Sequence, residues 1–280
     1  MHFGIGGRAE GLAGMTAEWN TAIGGLVAAL DTDAFAGALV AALRSLADFD
    51  YSVAFAYRGE ARPIDLFDDF PTGKRRVMVD IYQDGPYLLD PLYLACARRV
   101  QPDLYRLRSL APDRFFQGEY FRSYYAQTGL SEEIGYIVEL PGSVMVVVSL
   151  MRSSRHPAFS GKEFRQLRDA YPVVSSFVAR HWKDLQERFE ATPGAGLSII
   201  QSTIDSAFSS FGKSVLTRRE RDVVEYVLKG HSSAAIGHIL GIAPGTVRIH
   251  RKNIYTKLGI NSQGELFAQF IHSLSELRAV

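Results

Sequence analysis

Residues 214–280 carry the pattern that most constrains how the chain can fold. Thr217 and Glu220 have the spacing of a capping box, which predicts a helix that ends at Gly230. A second helical segment, 233–240, is closed by Gly241, and a third begins at Pro244 and ends at Gly259. These boundaries predict a small all-α bundle in which two helices are separated by a three-residue turn.

The third of these helices is one-sidedly basic. At 100° per residue, Val247, Ile254 and Leu258 fall on one apolar stripe, while Arg248 and its neighbours point away from it. Segment 244–258 has four Lys and Arg residues and no acid. A basic helix after a tight turn is typical of a helix-turn-helix that reads the major groove of double-stranded DNA. The predicted DNA-binding residues are Thr246, Arg248, Ile249, Arg251, Lys252 and Lys257.

Charge is divided unevenly along the chain. The overall formal charge is only +1, but residues 213–280 hold ten basic and five acidic residues, against 21 and 25 in the remainder. A basic end on a mildly acidic body is expected if only that end meets a polyanion.

The tail closely resembles the LuxR-type (GerE-like) helix-turn-helix over about 216–268. The resemblance implies that Arg248, Ile249 and Lys252 face the bases and that the protein forms a homodimer. Ala243 stands where the family usually has a capping serine, and Ala234-Ala235 stand where it usually has Lys-Glu. The matching residues are Leu216, Thr217, Arg219, Glu220, Arg221, Gly230, Ile236, Leu240, Gly241, Ile242, Thr246, Val247, Arg248, His250, Ile254, Tyr255, Lys257, Leu258 and Gly259.

The rest of the chain has the element order of an α+β domain. Two helical segments precede strands at 51–57 and 64–67, and a hairpin follows at 132–140 and 143–152 around Pro141-Gly142. A long helix starts at the capping box Ser160–Glu163, and Pro172 should either kink it or break it into two pieces. We therefore predict an α/β/α PAS/GAF-like sandwich with an antiparallel sheet, followed by the all-α helix-turn-helix bundle.

Four regions are expected. They are a flexible N-terminal arm at 1–15, a ligand-sensing α+β domain at 16–189, a linker at 190–213 and the DNA-binding domain at 214–280.

Residues 80–99 weakly resemble the autoinducer-binding domain of quorum-sensing LuxR proteins, through spaced aromatics followed by Asp90-Pro91. In that family the aspartate binds the amide of an acyl-homoserine lactone, and a nearby upstream tryptophan binds the lactone carbonyl. The two tryptophans here are Trp19 and Trp182, neither of them near this segment. Asp90 is therefore either a helix N-cap alone or a cap that also contacts a ligand.

A second aromatic group occupies a predicted helix at 112–127. Its rings, from Phe115 to Tyr125, cover more of the helix circumference than one buried stripe requires. They form either core plus dimer surface or, in part, the wall of a cavity suited to a small cationic or amide-bearing molecule. The predicted ligand-binding residues are Tyr82, Tyr87, Asp90 and Tyr124.

Other functions lack their sequence signals. The seven histidines and single cysteine show no metal-ligand spacing, and no nucleophile elbow, P-loop or dinucleotide fingerprint is present, so we expect no enzyme, metal or cofactor. The element order also disfavours a phosphorylated receiver domain. One cysteine and no long apolar run indicate a cytoplasmic protein without membrane contact. The favoured hypothesis is a transcription regulator whose DNA affinity responds to a small-molecule effector. In the alternative, the N-terminal domain is a ligand-free dimerisation or protein-interaction module.

Overall fold

The computed structural model describes residues 6–59, 61–122, 129–191, 208 and 210–278. The strands are β1 Tyr51–Arg58, β2 Ile64–Asp68, β3 Leu104–Arg106, β4 Leu130–Leu140 and β5 Val144–Ser153. The helices of the first two thirds are α1 Gly6–Ala29, α2 Phe35–Arg44, α3 Thr72–Arg75, α4 Pro91–Ala97, α5 Leu107–Leu110, α6 Gly161–Asp169, α7 Tyr171–His181 and α8 Leu185–Ala191. Those of the last third are α9 Arg218–Leu228, α10 Ser233–Leu240, α11 Pro244–Leu258 and α12 Gln263–Arg278.

The strands form one antiparallel sheet in the order β2-β1-β5-β4-β3. Its centre is the predicted hairpin of β4 and β5, in which Ile137 lies opposite Val147. Gly142 closes this hairpin with φ 72°, a backbone angle that glycine adopts without strain. The three-residue edge strand β3 was not predicted, because so short a segment has no measurable periodicity.

Helices cover both faces of the sheet. Because side chains alternate along a strand, Ala54 and Ala56 pack with α2, α6 and α7 on one face. Val53, Phe55 and Tyr57 face the opposite core, which contains α4 and the short π-helical and 3-10-helical segments of 76–89. The predicted α+β class and α/β/α sandwich are confirmed.

The long helix after β5 is interrupted as predicted. Ser160 and Glu163 form a capping box with both reciprocal hydrogen bonds present. The helix stops at Asp169 and a new one starts at Tyr171, with Pro172 in its first turn, where the missing N–H costs no hydrogen bond.

Two local predictions differ from the structure. Helix α1 begins at Gly6, so the segment expected to be a flexible arm is helical from that residue. The predicted helix at 112–127 is replaced, where described, by a 3-10 turn at Phe115–Gln117 and a helical turn from Glu119 to Arg122. Most of the predicted linker lies outside the described residues, so the domain limits stay predictions. No helix in the described ranges is long and apolar enough to cross a membrane.

Candidate DNA-binding surface and inner cavity

Helix α9 anchors the C-terminal bundle through its capped end. The Glu220 N–H donates to Thr217 Oγ1 at 3.3 Å, and the Thr217 N–H donates to Glu220 Oε2 at 2.8 Å. Behind this cap, Val223 and Val227 are buried in the bundle core. The predicted capping box is thus present and fixes where α9 starts.

The turn between α10 and α11 brings the two helices close together. Ser232 caps α10 by accepting from the Ala235 N–H at 3.1 Å, and Gly241 ends it in the left-handed region with φ 65°. A Cβ on Gly237 would lie 2.7 Å from the carbonyl oxygen of Ile242, so only glycine fits here without a shift. This close approach sets the angle at which α11 leaves the turn.

Helix α11 presents the face that the helical wheel predicts. Val247 and Ile254 are buried, while Arg248 and Lys252 are exposed and Ile249 has 62% of its surface accessible. Thr246 is also exposed, in the first turn of the helix. These four outward side chains make up what we call the reading face: Thr246, Arg248, Ile249 and Lys252.

The other two predicted DNA-binding residues make contacts within the bundle. The Arg251 guanidinium is half-buried, 3.3 Å from Tyr255 Oη and 3.4 Å from Gln263 Oε1. Lys257 Nζ donates to Glu220 Oε2 at 2.7 Å. Lys257 therefore joins the end of α11 to the cap of α9, whatever else it contacts.

An inner cavity lies between β1, β4, β5 and the short helical segments before α4. It has room for about one water molecule, with a volume near 20 Å³. The side chains around it are mainly aromatic or apolar, with two carboxyl groups and one serine. They belong to Val53, Phe55, Tyr57, Met78, Tyr82, Asp90, Leu92, Tyr120, Glu133, Ser149 and Met151.

A hydrogen-bonded chain crosses this cavity wall. Tyr57 Oη and Tyr82 Oη are 2.7 Å apart, and the Tyr82 hydroxyl donates to Asp90 Oδ2 at 2.7 Å. The other oxygen of Asp90 accepts from the Leu92 N–H at 2.8 Å and so caps α4. Asp90 is thus a helix cap, which is common to both sequence alternatives, and it also lines the cavity.

Burial changes the protonation of this chain. Burial raises the pKa of Asp90 to about 6, although hydrogen bonds from Tyr82 and Leu92 oppose the shift. Burial and the nearby Asp90 charge also raise the pKa of Tyr82 and of Tyr57 well above its usual value. Both hydroxyls therefore stay protonated: Tyr82 donates to the Asp90 carboxyl group, and Tyr57 donates to the Tyr82 oxygen.

The remaining predicted ligand residues are placed differently. Tyr87 is buried with its ring 5.0 Å from that of Tyr93 and 6.2 Å from that of Tyr82, so it supports the wall from behind. Tyr124 lies outside the described residues. Tyr57, Glu133 and Ser149 also line the cavity, but the sequence did not predict them. Which residues of a strand face the cavity can be inferred only when the order and register of the strands are known.

Replacing Asp90 with asparagine should change how stability depends on pH. Because the folded pKa of Asp90 is above its ordinary value of 3.8, its contribution to stability is full below that value and is lost as pH rises through about 6. Asparagine keeps the cap but does not titrate. Between about pH 5 and pH 8, the wild type should lose about 1.4 kcal/mol of stability relative to Asp90→Asn. Thermal unfolding midpoints of both proteins test this, and parallel pH profiles would contradict it.

Comparisons with known proteins agree with this architecture. Residues 214–269 match the model of the GerE family, the bacterial regulatory proteins of the luxR family. The chain is 32% identical over 186 residues to an HTH-type transcriptional regulator from the exeN 3′ region of Aeromonas salmonicida, covering 66% of this chain and 94% of that protein. It is 38% identical over 95 residues to the regulatory protein FixJ of Azorhizobium caulinodans, covering 33% of this chain and 45% of FixJ.

Among solved structures, the LBD domain of VqsR from Pseudomonas aeruginosa is similar to this chain. It is 25% identical, with a TM-score of 0.50, over 58% of this chain and 95% of the VqsR domain. Both parts of the architecture therefore have counterparts among regulators. The chain belongs to the LuxR family of bacterial transcription regulators, which bind DNA through their C-terminal helix-turn-helix.

Proposed function

We propose that this regulator contacts DNA through its reading face and that a small molecule bound in the inner cavity controls its affinity for DNA. The observation that carries the first part is the exposed face of α11, on which Arg248 and Lys252 flank the exposed Ile249. Arginine and lysine donate to guanine acceptors in the major groove, and an apolar side chain can contact the methyl group of thymine. Family members of this type are expected to act as homodimers, so we include a second copy of the chain as a partner.

The polar chain in the inner cavity supports the second part. Buried carboxyl and hydroxyl groups are costly to maintain in an apolar core, so their concentration at one cavity is typical of a binding site. Asp90 and Glu133 lie on the cavity wall, and its described residues include no lysine, arginine or histidine. An amide N–H or an ammonium group would suit such acceptors.

The small volume of the cavity limits the form that binding can take. A drug-sized ligand occupies a pocket of roughly 300 Å³ or more, whereas this cavity measures about 20 Å³. A ligand must therefore displace side chains such as Met78, Tyr82 or Tyr120. Methionine at the wall favours this, because its unbranched side chain repacks easily.

Tight packing also favours a second candidate function. A filled core needs no ligand, and the N-terminal domain would then serve only to join two copies of the chain or to bind another protein. Both candidates predict that two copies of the chain associate, so light scattering of the purified chain cannot distinguish them. Only a test of ligand binding can.

The deciding experiment combines native mass spectrometry of protein purified from its own host with thermal shifts on added probes. We would use N-octanoyl-homoserine lactone as an amide probe and n-octylamine as an ammonium probe. Tyr82→Phe is the matched variant, since it keeps the ring and removes the hydroxyl bonded to Asp90. A retained mass or a shift that this variant reduces supports ligand control. No retained mass and no shift with either probe favours the ligand-free module.

A further inference from the structure

The segment from Asp113 to Tyr120 touches both parts of the molecule. It follows α5 and leads toward β4, so by sequence it belongs to the N-terminal domain. At one end its backbone and side chains contact the turn between α9 and α10, and at the other Tyr120 lines the inner cavity. We call it the bridging segment.

Two hydrogen bonds attach the bridging segment to the helix-turn-helix. The Ser232 N–H donates to Asp113 Oδ1 at 3.0 Å, and the Arg114 N–H donates to the Gly230 carbonyl at 3.1 Å. Because the two bonds involve consecutive residues of the bridging segment, they fix both the position and the direction of its backbone.

Close packing accompanies these bonds. Gly230 has φ 91°, and a Cβ there would lie 2.9 Å from Phe115 Cα, so the backbones meet without a side chain between them. Phe115 is buried, and a Cβ on Gly264 in α12 would lie 3.3 Å from the Glu119 carboxylate. Several residues of the bridging segment therefore pack against the helix-turn-helix bundle.

The Asp113 carboxylate occupies a position suited to a phosphate. In a helix-turn-helix the first helix crosses the DNA backbone, and helix N-termini donate N–H groups to phosphate oxygens. Ser232 is the N-cap of that first helix, α10, and its N–H is already bonded to Asp113. The Asp113 carboxylate therefore already occupies an N–H group of the kind that contacts DNA phosphates.

Helix α11 lines a cleft at the same place. A cleft of about 470 Å³ lies between the bridging segment and the bundle, and Arg248 and Arg251 of α11 line it. The remaining lining residues are Asp113, Arg114, Ser232, Ser233 and Ala234. A DNA backbone running past α10 toward Arg248 would have to enter this cleft, where the bridging segment forms one wall.

We propose that the bridging segment is an intramolecular mask, in which Asp113 takes the place of a DNA phosphate and its contacts with Gly230 and Ser232 compete with DNA. The bridging segment and the DNA backbone cannot both occupy the N-terminal end of α10 at the same time. The segment leaves before DNA binds, and apparent affinity is reduced by the fraction of molecules that are docked.

The charge state of Asp113 fits this role. Partial burial works against ionisation, but hydrogen bonds from Ser232 and the electrostatic effect of the nearby His231 hold the pKa of Asp113 below its usual range. Asp113 is therefore ionised at neutral pH, as a phosphate substitute must be.

The bridging segment also offers a path from the inner cavity to DNA. Tyr120, seven residues after Asp113, is buried and lines the cavity. A ligand that displaces Tyr120 would shift the segment that carries Asp113. This link, unlike the mask itself, rests on the proposed ligand control.

The test compares Asp113→Ala, Asp113→Asn and the wild type as full-length chains. The probe is a fluorescein-labelled random-sequence duplex of about 30 base pairs, long enough for two half-sites one turn apart. Asp113 is exposed, so the variants keep their fold. We expect Asp113→Ala to bind about three- to tenfold more tightly, the factor that a hydrogen bond of ordinary net strength is worth. The DNA affinity of Asp113→Asn should lie between those of the wild type and Asp113→Ala, since asparagine keeps a hydrogen-bond acceptor and loses the charge.

The control is Asp84→Ala, which removes the same charge from a surface pair with Arg62. Equal tightening in Asp84→Ala would show a general charge effect and overturn the mask. Unchanged or weaker DNA binding by Asp113→Ala would overturn the mask as well.

Adding Arg248→Ala to each protein separates the proposed mask from the proposed reading face. If Arg248→Ala weakens binding while Asp113→Ala has no effect, the reading face stands and the mask fails. If no protein binds DNA, both fail.

A second measurement does not depend on DNA. Hydrogen exchange of the amides in 230–235 should be faster in Asp113→Ala than in the wild type, because the Ser232 N–H loses its acceptor. Equal exchange rates would contradict the docked contact itself.

Discussion

Replacing Arg248 or Lys252 with alanine should weaken binding to a cognate DNA site by about 1–3 kcal/mol for each residue. Both side chains are exposed on the outward face of α11, held there by the buried Val247 and Ile254. Removing either leaves base or phosphate acceptors without their donor while the helix stays intact. The measurement is fluorescence anisotropy on a duplex selected from a random pool with the wild-type chain.

The control for this prediction is Lys183→Ala, which removes one positive charge from an exposed position after α7. If the reading face is correctly placed, Lys183→Ala binds like the wild type at every salt concentration. Loss of a base contact relaxes sequence specificity at one position of the DNA site, whereas loss of a phosphate contact lowers the salt dependence of binding. Wild-type affinity in both Arg248→Ala and Lys252→Ala would show that another face meets DNA.

The helix-turn-helix could be predicted in detail because its signals are local. The cap of Thr217 and Glu220 and the glycines at 241 and 259 act within one helical turn of where they stand. The hairpin at Gly142 and the break at Pro172 are local in the same sense. Each follows from backbone geometry that a few neighbouring residues determine.

The contacts that build the two sites are mostly not local, and the sequence did not predict them. Asp113 and Ser232 are 119 positions apart, and Lys257 and Glu220 are 37 apart. No periodicity or motif records such pairs. Segment 112–127 illustrates the same limit, because the sequence predicts one helix there, whereas Phe115 lies in a 3-10 turn that packs against Gly230 of the bundle. Tertiary contact prevailed over local preference there.

The pair of Glu220 and Lys257 should stabilise the bundle, and a double-mutant cycle measures by how much. Glu220 Oε2 accepts from the Thr217 N–H, the Thr217 hydroxyl and Lys257 Nζ, all at 2.7–2.9 Å. The Glu220 side chain is 5% exposed and that of Lys257 38%. We expect Glu220→Ala to cost about 2–3 kcal/mol, because the cap and the ion pair are lost together. Lys257→Ala should cost about 1–2 kcal/mol, reduced because its ammonium group is partly solvated.

Hydrogen exchange of the slowest amides in α9 and α11 reports these free energies in the full chain. A coupling energy of about 1 kcal/mol or more between the two substitutions would show that the pair acts as a unit. The pH dependence gives an independent check. Burial opposes ionisation of Glu220, but Lys257 and Thr217 lower its pKa below the ordinary value of 4.5, so its contribution is present above that value and is lost as pH falls through the folded pKa.

The same variants decide what Lys257 does for DNA binding. If its main contact is Glu220, Lys257→Ala lowers bundle stability, and its DNA affinity at a temperature where the bundle is folded stays within about twofold of the wild type. If it is a phosphate contact, the salt slope of binding falls by about one while stability barely changes. The sequence predicts that Lys257 contacts DNA, whereas the structure places it in an internal ion pair with Glu220. Because the Glu220 carboxylate is buried and loses its charged partner when Lys257 is removed, we expect the loss of stability to dominate.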